Sequence, residues 1–275
     1  MITIYCALYP EAQELIHSFQ MKKEMGRCHF QVFSNEEKGI RLVLTGVGAV
    51  CAAVSVAEIS TTYPPEETDF LVNFGSCGAG SSFPQNKIFL CNKITEAAGG
   101  RTFYPDILYR HSFTEAEITS FSRPQECTQI PAESLCDMEA AAVYQAGIYY
   151  YGPHQMVFLK VVSDHGFSDR FNKQEFSKTM KTSAKTVAEY LDQLCKITHQ
   201  TKCVNQTLSL YAEKLKEELS CSVTMQAELD QMLRYFELAG KDYKPVIEEY
   251  RQSGRLPCDR REGKKILEEF KSGLL

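Results

Sequence analysis

The sequence lacks a hydrophobic run near the roughly 20 residues that a transmembrane helix requires, so no segment is predicted to span a bilayer. It also lacks any Cys-x-x-Cys pair, although it contains 11 cysteines. Since several of these thiols lie in apolar or glycine-rich segments, we expect reduced, buried cysteines in a cytoplasmic protein rather than disulfides or a zinc site. The formal net charge of -5 argues against a nucleic-acid-binding surface.

Two phosphate-binding motifs are absent as well. Neither G-x-x-x-x-G-K-[ST] nor G-x-G-x-x-G occurs, so the sequence predicts no P-loop and no dinucleotide site, and we expect no cofactor and no metal. Residues 1–8 carry no basic flank and no small-residue cleavage site. We therefore interpret them as a buried first strand rather than a signal peptide.

Short apolar runs that alternate with helical patterns predict the fold class. Runs of strand length occur at 2–8, 42–45, 70–73, 88–91 and 156–162. Between them lie helical patterns, such as the i, i+3, i+4, i+7 spacing after Pro10 and the small-residue stretch at 49–59. This alternation indicates an α/β protein with a single mixed, largely parallel sheet flanked by helices, in which ligands bind beyond the carboxyl ends of the strands.

The pattern of apolar and charged residues changes near residue 199. Glycine-broken apolar strands disappear, and charged helical patterns follow at 208–219, 225–238, 243–251 and 261–270. We predict an α/β domain at residues 1–198 and a small helical appendage at residues 199–275. The sequence indicates no function for the appendage.

Two carboxylates stand at predicted ends of elements. Asp164 follows Ser163 at the end of an apolar run, where a partly desolvated carboxyl group can act as a general acid. The alternative is an aspartate that only caps a turn. Glu139 begins an alanine-rich helix predicted at 138–150, and an ionised carboxylate there can accept two hydrogen bonds from a vicinal diol. Its alternative is a first-turn glutamate that offsets the helix dipole, with Asp137 as the cap.

A glycine-rich segment at 73–80 follows the third apolar run and is predicted to be a loop. The backbone N–H groups of such loops can hold an oxyanion or order a water molecule, although a plain tight turn has the same composition. Glu11 follows the first predicted strand, which we expect to end at the same edge of the sheet.

Five segments together resemble the nucleoside phosphorylase/nucleosidase superfamily, and most closely its 5'-methylthioadenosine/S-adenosylhomocysteine nucleosidases. They occur in the family's order over residues 1–197: ALYPE at 7–11, LTGVG at 44–48, VNFGS at 72–76, DMEAAA at 137–142 and VSD at 162–164. The resemblance implies cleavage of the N-glycosidic bond of a purine nucleoside in methionine salvage, through an oxocarbenium-like transition state.

The resemblance also implies roles for individual residues. Asp164 would protonate purine N7 with help from Ser163, and Glu11 would polarise the attacking water with help from Ser76. The other implied contacts are with the ribose (Glu139 and Met138), the 5' substituent (Leu8 and Phe171), the purine (Phe121 and Ser122) and the region of the nucleophile (Lys160, where nucleosidases usually carry an arginine). A homo-oligomer, with a dimer favoured, is implied as well.

Two other functions stay open at this point. A phosphate-dependent purine nucleoside phosphorylase needs cations for phosphate; Asn73 stands where hexameric phosphorylases place one such arginine, but Arg41 and Arg101 are available. A noncatalytic nucleoside sensor would bind its ligand without turnover and use the appendage to contact a partner.

Overall fold

The computed structural model describes residues 1–26, 28–126, 130, 132–166, 173–254, 257 and 259–274. The chain divides into two compact units, Met1–His199 and Gln200–Leu275. In the described part, no helix combines the length and the hydropathy that crossing a bilayer would require.

Among its described residues, the first unit is built on one mixed sheet of ten strands. These are β1 (Ile2–Cys6), β2 (Lys22–Lys23), β3 (Gln31–Asn35), β4 (Ile40–Leu44), β5 (Phe70–Ala79), β6 (Ile88–Glu96), β7 (Thr102–Phe103), β8 (Thr114–Ser120), β9 (Leu135–Asp137) and β10 (Met156–Asp164). The order is β10-β6-β8-β9-β5-β1-β4-β3-β2, with β7 paired to β6. Because β10 also pairs with β5, the strands β10, β6, β8, β9 and β5 close into a ring.

Parallel pairing brings the carboxyl ends of the central strands to one edge. β1 pairs in parallel with β4 and β5, and β5 pairs in parallel with β10. Helices cover both faces of the sheet: α1 (Tyr9–Ser18), α2 (Ala49–Thr62), α3 (Ala140–Gly147) and the first part of α4 (Lys173–Glu218). The α/β class and the mixed sheet flanked by helices are thus confirmed.

Each face of the sheet has its own hydrophobic core, because successive strand residues point to opposite sides. Ile2 and Ile4 of β1 pack in one core with α1 and α4, represented by Leu15 and Leu191. Tyr5 of β1 packs in the other core with residues of α2 and α3. The near-continuous apolar strands of the sequence follow from this burial on both sides.

The predicted glycine-rich loop at 73–80 is wrong, because β5 continues to Ala79. Gly75 and Gly78 are not among the glycines with a left-handed backbone, and both pair with strand β10, with Lys160 and Asp164 respectively. Pairing with the parallel strand β10 therefore keeps both glycines in the β-ladder. Because Gly75 has no side chain, the carboxylate of Glu11 can approach this strand closely: a methyl group on Gly75 would lie 3.1 Å from a carboxylate oxygen of Glu11.

Two further boundaries differ from the sequence prediction. Helix α3 begins at Ala140 rather than at 138, so Glu139 is the residue before the helix, with φ -129°. Helix α4 begins at Lys173, and the pattern predicted at 208–219 is only its carboxyl-terminal part.

The second unit is helical. It contains the end of α4 together with α5 (Val223–Leu238), α6 (Lys244–Gln252) and α7 (Arg260–Leu274). Its core is apolar and includes Leu215, Leu229, Phe236 and Leu267. Ser222 caps α5 by accepting a hydrogen bond from the Met225 backbone, as serine at this position commonly does.

Candidate active site

A cavity of about 460 Å³ lies at the carboxyl ends of strands β1, β5, β9 and β10. This is where open α/β sheets bind ligands. Eight of the eleven residues to which the resemblance gave a role line it: Leu8, Glu11, Ser76, Met138, Glu139, Lys160, Ser163 and Asp164. They come from segments that are up to 156 residues apart, so only the folded chain brings them together.

Glu11 is buried at the floor of this cavity, and both of its carboxylate oxygens accept hydrogen bonds. One carboxylate oxygen accepts bonds from the Ser76 N–H at 2.8 Å and the Ser76 hydroxyl at 2.7 Å. The other oxygen accepts a bond from the Leu8 N–H at 2.9 Å. These donors fix the carboxylate in one orientation, with its remaining lone pairs available to a ligand.

Glu139 is also buried, and its carboxylate accepts a 2.6 Å hydrogen bond from the Gly48 N–H. Burial raises the pKa of Glu139, with a further contribution from the carboxylate of Asp137, although Lys160 and the bond from Gly48 act in the opposite direction. The ionised form of this group is therefore less favoured than in water, and donors from a bound ligand would stabilise it.

Lys160 forms a buried ion pair with Asp137, with 2.7 Å between Nζ and Oδ2. Burial disfavours the ammonium and lowers the pKa of Lys160. The carboxylates of Asp137 and Glu139 outweigh this effect and hold the pKa above its ordinary value. Asp137 also accepts bonds from the Ser120 hydroxyl at 2.5 Å and the Ala140 N–H at 2.8 Å. Asp137 thus caps the first turn of α3 and pairs with the cation as well.

Asp164 lies half-buried at the end of β10. Its Oδ2 accepts a 2.6 Å bond from the Ser163 hydroxyl, and its Oδ1 accepts a 2.8 Å bond from the Gly166 N–H. The Ser163 hydroxyl also lies 3.2 Å from the carbonyl oxygen of Cys77. Because a hydroxyl has one hydrogen, Ser163 can donate either to the Cys77 carbonyl or to the carboxylate.

Cys136 is a thiol in the cavity wall that the sequence did not single out. Burial raises its pKa to about 12, and the neighbouring carboxylates of Asp164 and Asp137 add to this. The group therefore stays a neutral thiol near pH 7, and nucleophilic thiolate chemistry is not favoured here.

Two of the predicted substrate contacts do not line the cavity. Phe121 and Ser122 are not among the lining residues, whereas the next three positions, 123–125, are. The Phe121 N–H instead donates to the carbonyl oxygen of Asp137 at 2.8 Å. Phe171 lies outside the described residues, so its contact stays a prediction.

The lining also includes residues that none of the sequence motifs contains. They are Gln85, Asn86, Arg123, Gln125, Glu175, Phe176 and Thr179. Thr179 of α4 donates to the Asn86 side chain at 2.6 Å, which ties the start of this helix to the segment before β6. Only the folded chain brings them to the cavity, and no local pattern of the sequence indicated them.

Neither arginine considered for phosphate lines the cavity. Arg41 is buried and stacks on Tyr63 at 3.7 Å from the ring centroid, and its guanidinium lies 3.6 Å from Glu24. Arg101 pairs with Glu96 at 3.0 Å. Both are thus engaged away from the carboxylates of the site.

Comparison with solved structures places the fold among known nucleosidases. The apo 5'-methylthioadenosine nucleosidase of Arabidopsis thaliana is similar, with a TM-score of 0.58 and 16% identity over 72% of this chain and 95% of that one. The 5'-methylthioadenosine/S-adenosylhomocysteine nucleosidase of Neisseria meningitidis in complex with methylthio-immucillin-A gives 0.56 and 20% over 71% and 98%. A futalosine hydrolase mutant of Helicobacter pylori gives 0.54 and 13% over 70% and 98%.

No family model and no curated protein matches the sequence. The structural matches cover most of both chains but at low sequence identity, so they show the fold alone. The chain thus adopts the nucleoside phosphorylase/nucleosidase fold that its five motifs predicted.

Proposed function

We propose that this protein hydrolyses the N-glycosidic bond of a purine nucleoside, with 5'-methylthioadenosine or S-adenosylhomocysteine as the substrate. One observation carries the proposal: the carboxyl groups of Asp164, Glu139 and Glu11 line the same cavity. Glycoside cleavage needs an acid for the leaving group and a base for water, and a third carboxylate can hold the sugar. The named nucleosidases of the same fold support this choice.

Asp164 is the general acid in this proposal, and it delivers a proton to the departing base. While Asp164 is protonated, the Ser163 hydroxyl can donate to the Cys77 carbonyl; after the transfer, it can donate to the new carboxylate. A hydrogen bond to the charged form stabilises that form. Ser163 therefore favours loss of the proton at the step where the bond to the base breaks.

Glu139 holds the ribose by accepting hydrogen bonds from its 2'- and 3'-hydroxyls. One of its oxygens already accepts from Gly48, and the carboxylate keeps further lone pairs for the diol. Because burial raises the pKa of Glu139, the diol donors would compensate a carboxylate that is otherwise disfavoured. The same two bonds become stronger as positive charge develops on the sugar.

Glu11 is the acceptor for a proton of the attacking water. Its three hydrogen bonds to Leu8 and Ser76 hold it rigidly, and its burial removes competing solvent. Preorganised groups of this kind lower a barrier without reorganising during the reaction.

The charge of the cavity favours water over phosphate as the nucleophile. The described lining has five acidic residues (Glu11, Asp137, Glu139, Asp164, Glu175) and two basic ones (Arg123, Lys160). Lys160 is held by Asp137 at 2.7 Å. A phosphate dianion would meet a net negative surface, whereas water is neutral.

The test is to incubate the purified protein with methylthioadenosine, adenosine and inosine, each with and without phosphate, and to identify base and sugar products. We expect free sugar in phosphate-free buffer. Sugar 1-phosphate formed only with phosphate would identify a phosphorylase instead. Binding without release of base would identify a sensor. Glu37→Gln, which changes an exposed carboxylate, serves as the matched control for Glu139→Gln and Glu11→Gln.

We also propose that the protein forms a homodimer through helix α2. Val50 and Val54 lie one turn apart on α2 and are 77% and 51% exposed. Val47, just before the helix, is 49% exposed and also lines the cavity. An apolar strip beside a ligand site is suited to an interface. Sedimentation should give a dimer for the parent protein and a monomer for Val50→Lys/Val54→Lys.

A further inference from the structure

One buried polar atom in the cavity has no partner among the described residues. Asn73 is 3% exposed and lines the cavity, and its Nδ2 donates to the carbonyl oxygen of Tyr5 at 3.1 Å. Its Oδ1 is completely buried, and no donor of the described residues forms a hydrogen bond with it. An unsatisfied buried acceptor is destabilising, so such an atom calls for an explanation.

The position of Asn73 associates it with Glu11. Residues two apart on a strand point to the same side, so Asn73 and Gly75 of β5 share a face of the sheet. Gly75 has no side chain, and the carboxylate of Glu11 occupies the adjacent space, at 3.1 and 3.3 Å from where a methyl group would lie. The amide of Asn73 and the carboxylate of Glu11 therefore border the same floor of the cavity.

The orientation of the Asn73 amide follows from its hydrogen bond. A carbonyl oxygen can only accept, so the group that contacts the Tyr5 carbonyl must be the NH2 group. The atom left for a ligand is consequently an acceptor. The floor thus offers two acceptors of different charge, the carboxylate of Glu11 and the amide oxygen of Asn73.

We propose that Asn73 is a positioning residue that selects water as the nucleophile. This inference rests on the proposed hydrolysis. A water molecule has two hydrogens: one is donated to Glu11, which takes the proton, and the other is donated to Asn73 Oδ1. The oxygen lone pair then points away from both acceptors and attacks the anomeric carbon, while the base departs with the proton of Asp164.

The same geometry discriminates between nucleophiles. An alcohol has one hydroxyl hydrogen, so it satisfies Glu11 and leaves Asn73 Oδ1 unpaired. A phosphate dianion, HPO4²⁻, has a single hydrogen to donate, so it also leaves one acceptor unpaired, and it places negative charge against the carboxylate of Glu11. Sites that pair a buried polar group with one ligand reject a ligand that leaves the group unpaired.

The experiment measures competition between water and methanol. The parent protein cleaves whichever of methylthioadenosine, adenosine and inosine it turns over fastest, in buffer that contains methanol, and free sugar and methyl glycoside are quantified. We expect the parent to form at least about tenfold less methyl glycoside than the concentration ratio of the two nucleophiles predicts, equivalent to about 1.4 kcal/mol. A product ratio equal to the concentration ratio overturns the proposal without any variant.

Asn73→Ala removes the acceptor. We expect kcat to fall about tenfold with little change in KM, and the share of methyl glycoside to rise about tenfold. Asn35→Ala is the matched control, because Asn35 also donates its amide to a backbone carbonyl, that of Phe19 at 2.9 Å, but does not line the cavity. We expect its product ratio to equal that of the parent.

The outcomes separate the two proposals. If Asn73→Ala lowers kcat and leaves the product ratio unchanged, Asn73 only supports the Tyr5 carbonyl, and the inference is wrong while hydrolysis stands. If the parent releases no base, or releases it only with phosphate, hydrolysis itself is wrong and the inference falls with it. If Asn73→Ala does not fold, the measurement on the parent decides.

Discussion

Replacing Lys160 by methionine tests the electrostatics of the cavity most directly. The ammonium is 2.7 Å from Asp137, and both side chains are almost completely buried. Methionine keeps most of the volume but leaves the Asp137 carboxylate without its cation, close to the carboxylate of Glu139. Removing one partner of a buried ion pair typically costs about 3–5 kcal/mol. For a folding unit of this size that predicts a fall in Tm of about 6–20 °C.

The measurement is the Tm of thermal unfolding near neutral pH, monitored by calorimetry. Lys93→Met is the matched control, because Lys93 pairs with Glu117 at a similar distance of 2.8 Å but at the surface. Exposed pairs contribute little, so we expect almost no change for this variant. The double variant Lys160→Met/Asp137→Asn removes both charges and should recover more than half of the lost Tm. A Lys160→Met protein as stable as Lys93→Met would refute the reasoning.

The same variant has a second readout in the pH profile. Lys160 acts to lower the pKa of Glu139, so its loss should raise that pKa further. If the ionised Glu139 binds the ribose, the acidic limb of kcat/KM moves to higher pH in Lys160→Met. The pKa of Lys160 itself is raised, so its stabilising contribution persists at neutral pH and is lost only as pH rises above its ordinary range.

Three further predictions follow from single positions. Asp164→Asn should lower kcat by about 10² or more, the scale of a lost general acid, whereas Asp106→Asn at an exposed site should not; steady-state rates of base release decide between them. Glu139→Gln should weaken cleavage of substrates with an intact diol more than that of 2'-deoxy substrates, and equal losses would argue against the ribose contact. Because the raised pKa of Glu139 means that ionisation costs stability above the unfolded carboxyl pKa, this variant should also raise Tm at about pH 7 but not at about pH 4. Gly263→Ala would place a methyl group against the carbonyl oxygen of Leu219, so the melting temperature of the second unit should fall by several degrees. Base release by the first unit should continue.

Some strands were not predicted because the local sequence does not favour a strand at those positions. The strand β8 has the sequence TEAEITS, whose outward side is polar, and β9 has only three residues. Each forms because a neighbour supplies hydrogen bonds, β6 and β9 for β8, and β5 and β8 for β9. The extension of β5 through its glycines has the same cause, since the ladder with β10 outweighs the weak strand propensity of glycine.

The sequence by itself determined that the main apolar strands alternate with helices, and hence which residues follow the ends of those strands. Alternating periodicity and the five motifs carry that information locally, so they indicate Asp164, Glu139 and Glu11 without any tertiary contact. Only the tertiary structure decided which groups meet. That Glu11 binds Ser76, that Lys160 pairs with Asp137 rather than lying free in the cavity, and that residues 123–125 form part of the wall depend on strand register and burial, which no local pattern encodes.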